Sequence, residues 1–316
     1  MISNSVDLNS LSLPDLYAQL VSGGLVDRLI ALMRDEDLGE DGTCGDITAI
    51  ASASTRAEDE HAVVVRTRAD GIVAGLATLP ALVEAFAPET SCEVLSHDGA
   101  HAKKGDELVR LAGPSLELHT LERPLLNLIG RLSGVASRTG LFVRAARDAA
   151  DRDVEILDTR KTTPGLRLLE KYAVRCGGGS CHRIGLYDAV LVKDNHIAGV
   201  GTDALAAHID SLVRAARNDR PLRFVEVEVD TLEQLDALLT LEPGTVNIAL
   251  LDNMGPDVLR DGVARRDAHN PSMLLEASGG IDLDTIGDIA RSGVDRISIG
   301  SITHGATWLD VGMDAD

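Results

Sequence analysis

The chain has 316 residues and a formal net charge of −20, with 44% hydrophobic but only 2% aromatic residues. That length favours two domains, whose core must be built from Leu, Ile, Val and Ala. The acidic balance argues against a general nucleic-acid or membrane-surface role, and no run approaches the roughly 20 apolar residues that cross a bilayer.

The first 23 residues read as a polar leader with a short helix near Leu13 to Val21, lacking the positive start and apolar run of a secretory signal. Residues 24–49 begin as an amphipathic helix, with Leu25, Leu29 and Leu32 on one face, and end in the acidic RDEDLGEDGTCGDITA. HAVVVRTRADGIVAGL predicts two short strands around Asp70-Gly71, and residues 77–87 predict a helix. Strands broken by Gly99, Gly105 and Gly113 follow, giving a mixed α+β pattern with antiparallel pairing. SLELHTLERPLLNLIGRLSGVASRTGLFVRAARDAA is then mostly helical, with Pro124 and the glycines as breaks. The four cysteines, Cys44, Cys92, Cys176 and Cys181, show no CxxC spacing and read as free thiols of a reducing, cytoplasmic setting.

After residue 153 the pattern changes. VEILDTRK, AVLVKDN, FVEVEVD, VNIALLDN, MLLEASGG and RISIGS are short apolar runs closed by polar residues, with helical segments between them. Such runs are parallel strands buried on both faces. Polar groups follow every strand, which fits the mouth of a (β/α) barrel better than the single switch point of an open sheet.

The segment from Asp158 to Lys193 carries seven Lys/Arg against three acids, a local +4 in an acidic chain. Arg160 and Lys161 precede a helix start predicted at Thr163-Pro164, a position favourable to anions. With Arg183 and Lys193 at the same mouth they make an anion site. Arg167, Lys171 and Arg175, on the intervening helix, read as solvated charges. Gly177-Gly178-Gly179 is either a phosphate cradle or a helix stop. His182 is a ligand contact, a proton donor or a structural residue. Glu228 and Asp252 end adjacent strands and suit Mg²⁺, sugar hydroxyls or neighbouring cations; Glu226 shares the parity of Glu228. Ser278-Gly279-Gly280 and Gly300-Ser301 follow the last two strands, where such barrels hold phosphate on backbone N–H groups. This set suits a phosphorylated sugar plus a small polyanion. An aldolase-like barrel using Lys193 or Lys161 as a Schiff-base amine, and a non-catalytic anion binder, are the competing readings.

The segment DTRKTTPGLRLLEKYAVRCGGGSCHRIGLYDAVLVKDNHI resembles the signature of the quinolinate phosphoribosyltransferase family. The likeness continues through LERPLLNLIGRLSGVAS, VEVEVDTLEQLDAL, LLDN, EASGGI and GVDRISIGSITH, over roughly residues 24–305. The resemblance implies an N-terminal α/β sandwich (24–125, after the leader 1–23) and an incomplete, seven-stranded TIM-like α/β barrel (126–305). The tail 306–316 is free to pack back on the first domain. Six barrel strands are legible; the seventh is not. The resemblance further implies a homodimer, with larger assemblies left open, and a reaction of NAD biosynthesis. That reaction joins quinolinate to phosphoribosyl pyrophosphate with Mg²⁺, giving nicotinate mononucleotide, pyrophosphate and CO₂. Arg123 would cross to the partner's site and bind a quinolinate carboxylate, while Arg160, His182 and Arg183 hold the two carboxylates. Lys161 and Lys193 would contact quinolinate or pyrophosphate, and Glu228 and Asp252 the ribose hydroxyls, with Mg²⁺ nearby. Ser278, Gly279, Gly280, Gly300 and Ser301 would cradle the 5′-phosphate. Ser180-Cys181 departs from the family's Val-Asn, and no role is expected for Cys181.

Overall fold

The computed structural model describes residues 6–53, 60–219 and 221–316. Helix α1 (Leu13–Val21) starts at Ser12, whose hydroxyl accepts from Asp15 N, and it buries Leu16 and Leu20. Helix α2 (Leu25–Leu38) buries Val26 and Ile30, with Leu29 and Met33 packed beside them. Leu25 and Leu32, expected on the inner face, are exposed at 39% and 55%. The buried stripe lies one residue further round the helix than the leucine spacing indicates.

Helix α3 (Ile47–Ala53) leads to strands β1 (Glu60–Thr67) and β2 (Gly71–Ile72), helix α4 (Leu79–Phe86), and strands β3 (Ser91–Val94), β4 (His101–Ala102) and β5 (Glu107–Pro114). β1 pairs antiparallel with β5, and β5 with β3. β2 pairs with β4 instead, so the two strands flanking Asp70-Gly71 enter different sheets.

Helix α5 (Ser115–Ala149) is one continuous 35-residue helix. The breaks expected at Pro124 and the glycines do not occur. The glycines serve close approach instead: a Cβ on Gly130 would lie 3.0 Å from the Leu309 carbonyl oxygen, and one on Gly134 would overlap that of Thr307. The expected domain division at 125/126 falls inside this helix.

The second sheet is parallel. Its strands are β6 (Glu155–Leu157), β7 (Val190–Val192), β8 (Val225–Val229), β9 (Ile248–Asp252), β10 (Leu274–Ser278) and β11 (Arg296–Ser298). They are the six runs predicted from the sequence, in the order β6-β11-β10-β9-β8-β7. Helices α6 (Arg167–Cys176), α7 (Asp194–Ile197), α8 (Thr202–Asp219), α9 (Leu232–Leu239), α10 (Pro256–His269), α11 (Ile286–Arg291) and α12 (Ser301–His304) intervene. The seventh position beside β6 is taken by Ser180, held by one bridge to Leu157. Beyond it, the side chain of Asp188 accepts from Ile184 N and Gly185 N. This is the incomplete TIM-like barrel expected. The last strand, β12 (Val311–Ala315), returns to β1 and pairs antiparallel, Val65 opposite Met313. Among the described residues no single helix is long and apolar enough to cross a membrane.

Because α5 touches the returning tail through Gly134, Gly134→Ala is expected to destabilise the fold by about 1–3 kcal/mol through overpacking. Urea unfolding followed by circular dichroism measures it; an unchanged midpoint would contradict the close approach.

Candidate active site

Asp158, just past the end of β6, is fully buried and organises the site's floor. Its Oδ1 accepts from Lys171 Nζ (2.6 Å) and from the backbone N–H of His182 (2.8 Å). The chain leaves this anchor as Thr159-Arg160-Lys161 on one side and His182-Arg183 on the other. Lys161 is steadied through its carbonyl, which accepts from Thr303 Oγ1 (2.7 Å).

Helix α6 begins at Arg167, not at Thr163-Pro164 as predicted, because Gly165 adopts φ +83° and interrupts the turn. Thr163 instead donates its N–H and hydroxyl to Glu170 (3.1 and 2.7 Å), which also receives Arg131 Nη2 at 2.6 Å. The expectation of solvated charges on this helix is overturned. Lys171 is fully buried against Asp158, Arg175 donates to the Leu11 carbonyl (3.1 Å), and Arg167 to Thr162 Oγ1 (3.1 Å). α6 is enclosed by α1, α5 and the barrel, so its charges need partners. The triple glycine is a helix stop. A Cβ on Gly177 would strike the Ala136 carbonyl and Thr139, and the residues do not line the cavity.

A cavity of ≈ 740 Å³ opens at the carboxyl ends of the parallel strands. It is lined by Arg160, Lys161, His182, Arg183, Lys193, Glu228, Asp252, Ser278, Gly279, Gly280, Gly300 and Ser301. Thr159, Asn253 and His304 also line it. His304 was missed as a candidate; its signal was its place three residues after Gly300-Ser301. Arg123, exposed on α5, is not brought to this cavity.

The cations are held ready. Burial first, and then the neighbouring Arg160 charge, lower the pKa of Arg183. Arg160 Nε is buried without a hydrogen-bond partner, as is Ser301 Oγ. Like charges and unspent donors in one cavity favour an anion arriving between them. Lys193 Nζ lies 2.7 Å from Glu228 Oε2. Burial raises the pKa of Asp252, against the hydrogen bond from Asn253. Asn253 has φ 55°, and a Cβ on Gly279 (φ +95°) would overlap its carboxamide, so this turn requires glycine.

Below the mouth lies a cluster that the sequence reading did not assemble. His182 Nε2 lies 2.9 Å from Glu226 and 3.4 Å from Glu276, and Arg296 Nε lies 3.0 Å from Glu276. Burial alone would depress the imidazole; the charges of Glu226 and Glu276 act against this and raise its pKa. Glu276 is likewise held down to about 2: burial opposes its charge, but His182 and Arg296 outweigh that. His182 Nδ1 accepts from Arg183 N–H (2.7 Å). Nδ1 can accept there only in the neutral ring, whose single proton then sits on Nε2 facing the carboxylates. Both ring nitrogens are thus engaged, and His182 lines the cavity without offering it a free nitrogen. The donor set His182, Glu226 and Glu276 resembles a metal site. Arg296 offsets Glu276, and burial, then the Glu276 charge, raise the pKa of Glu226 toward its neutral form, which leaves a cation little to neutralise.

A barrel mouth with four cations, two carboxylates and two Gly/Ser loops defines an enzyme acting on phosphorylated, multiply anionic substrates. Comparison with known proteins specifies the family. The model of the quinolinate phosphoribosyl transferase C-terminal domain matches residues 135–314, and that of the N-terminal domain residues 46–133. The nicotinate-nucleotide pyrophosphorylase [carboxylating] of Mycobacterium leprae is 44% identical over 252 residues, 78% of this chain and 84% of that protein. A probable nicotinate-nucleotide pyrophosphorylase [carboxylating] of Bacillus subtilis is 37% identical over 279 residues, 88% of this chain and 89% of that one. The solved nicotinate-nucleotide pyrophosphorylase of Francisella tularensis superposes with a TM-score of 0.81 at 30% identity, covering 98% of this chain and 99% of its own. The chain belongs to the quinolinate phosphoribosyltransferase family.

Replacing Lys171 by Met would strand the buried Asp158 carboxylate. A loss of about 3–5 kcal/mol is expected in chemical denaturation. A loss under about 1 kcal/mol would show that the pair carries little of the floor's stability.

Proposed function

We propose that the chain transfers the phosphoribosyl group of phosphoribosyl pyrophosphate to quinolinate, releasing pyrophosphate and CO₂ and leaving nicotinate mononucleotide. The observation that carries this reading is the cavity's cation set, Arg160, Lys161, Arg183 and Lys193, with Arg160 and Arg183 repelling each other at its floor. A pyridine dicarboxylate beside a pyrophosphate supplies the anions this set lacks. Family membership supports the same reading.

Arg160 and Arg183 clamp the two carboxylates, and His182 fixes the backbone between them and the barrel interior. Lys161 and Lys193 face the departing pyrophosphate. Glu228 and Asp252 accept from the ribose hydroxyls, and the turns at Ser278-Gly279-Gly280 and Gly300-Ser301, with the unspent Ser301 hydroxyl, receive the 5′-phosphate. Glu228 and Asp252 are hard oxygen donors on one wall of the cavity, a set that fits Mg²⁺ held directly or through water. When bound, Mg²⁺ would neutralise pyrophosphate charge.

Positioning does most of the remaining work. The clamped pyridine nitrogen attacks the anomeric carbon as its bond to pyrophosphate breaks. The resulting pyridinium draws the electron pair left when the adjacent carboxylate departs as CO₂, and a proton replaces that carboxylate. A Schiff-base role for Lys193 fits less well, since its ammonium is paired with Glu228.

Two further parts of the reading rest on placement. Arg123 is exposed on α5, outside its own chain's cavity, which suits donation across a homodimer. The four cysteines are unpaired thiols, which suits the cytoplasm.

Wild-type protein should release CO₂ from quinolinate only when phosphoribosyl pyrophosphate and Mg²⁺ are both present. Turnover of nicotinate with none of quinolinate would overturn the substrate assignment. Arg160→Ala should lower kcat/KM for quinolinate by about 100-fold or more, since a bidentate charged contact is lost. Mixing inactive Arg123→Ala and Lys193→Ala chains should restore about a quarter of wild-type activity, because half the dimers then carry one intact site. No recovery after subunit exchange would place Arg123 outside the partner's site.

A further inference from the structure

The leader before α1 is stitched to the barrel at Cys181. Asn9 Nδ2 donates to the Cys181 carbonyl (3.1 Å), and Asn9 Oδ1 accepts from Cys181 N–H (2.8 Å). One carboxamide thus meets both polar groups of one residue's backbone, as a neighbouring strand would. The place is the barrel's weakest ladder. Ser180 has a single bridge to Leu157, and the next residues, His182 and Arg183, have no strand partner among the described residues. Their backbone N–H groups go to Asp158 Oδ1 and His182 Nδ1.

The leader is itself fixed. Leu8 is fully buried, and the Leu11 carbonyl receives Arg175 Nη2 at 3.1 Å. Asn9 does not reach the substrate cavity. With Cys181 and Arg296 it lines a separate cavity of ≈ 350 Å³, while His182 and Arg183 line the substrate cavity. Segment 181–183 therefore separates the two spaces, and Asn9 can act on substrate through the backbone alone. The Cys181 thiol does not face the substrate cavity: it is buried, donates to the Lys171 carbonyl (3.6 Å), and burial pushes its pKa up to about 12.

We propose that the leader is a working part of the site, in which Asn9 is a positioning residue that substitutes for the missing strand partner and holds His182-Arg183 in register to clamp a carboxylate of the acceptor substrate. The role rests on the quinolinate reading above. It predicts an asymmetric effect, because Arg183 lies on the acceptor side while the phosphate turns and Lys193 are carried by other strands.

The test compares wild type with Asn9→Ala and Asn9→Asp. Asn9→Ala should raise KM for quinolinate about tenfold and KM for phosphoribosyl pyrophosphate less than twofold. Asn9→Asp, which keeps the acceptor for Cys181 N–H, should recover part of the difference. Leu82→Ala, in the buried face of α4, supplies a loss of stability elsewhere and should leave both KM values unchanged. Amide exchange at Cys181 should rise at least tenfold in Asn9→Ala, measured on the folded protein without substrate. Equal changes in both KM values, or a lowered melting temperature with neither KM altered, overturn the proposal. Wild-type inactivity toward quinolinate would sink the functional reading alone; the exchange measurement would still decide whether Asn9 holds the segment.

Discussion

The site depends on the buried contact between Lys171 and Asp158. Taking two ions out of water costs several kcal/mol per ion, so such a pair persists only where geometry and further hydrogen bonds offset the loss. Here one carboxylate oxygen receives both the Lys171 ammonium and the His182 backbone N–H. Three segments of one 25-residue stretch meet at that oxygen: the end of β6, the middle of α6 and the start of the His182-Arg183 segment. Arg160 and Lys161 leave from the first, and Arg183 from the third. The mutual repulsion of Arg160 and Arg183 must be borne by a rigid base, and the pair provides one.

The barrel strands were legible because a strand buried on both faces is apolar nearly throughout, and six such runs stand out after residue 153. The seventh was not, for a physical reason. Ser180-Cys181-His182-Arg183 contains no apolar run, and past Ser180, whose backbone bonds to Ile156 and Asp158, its N–H groups go to Asn9, Asp158 and its own histidine ring instead of to a ladder. Site residues at strand ends were legible for the same reason as the strands: position past a clear apolar run marks the mouth. Glu276 and Arg296 lie within their strands, where a charge reads as an edge or an error, so their cluster with His182 was not assembled.

Two misreadings share one cause. Glycine permits flexibility and also permits contact, and local sequence does not distinguish them. In α5 it was read as a break, yet Gly130 and Gly134 admit the returning tail to an intact helix. Lys171 has the same ambiguity in another form. A lysine on a helix is usually solvated, and its burial follows from what packs against α6, from α1 through α5 to the barrel, none of which is written in the lysine's neighbours.

The charge distribution bears on which anions the cavity accepts. At physiological ionic strength fields fade over about 8 Å, so an anion inside the cavity feels chiefly Arg160, Lys161, Arg183 and Lys193. An anion longer than the cavity would extend beyond these four cations over a chain whose formal charge outside the Asp158–Lys193 segment sums to −24. A long polyanion would gain four cations and meet repulsion along the rest of its length; a compact one gains the cations without that repulsion. Size selection among anions thus needs no steric gate. The acidic remainder therefore complements the cavity, in which four cations are gathered in a space a dicarboxylate and a pyrophosphate can fill together.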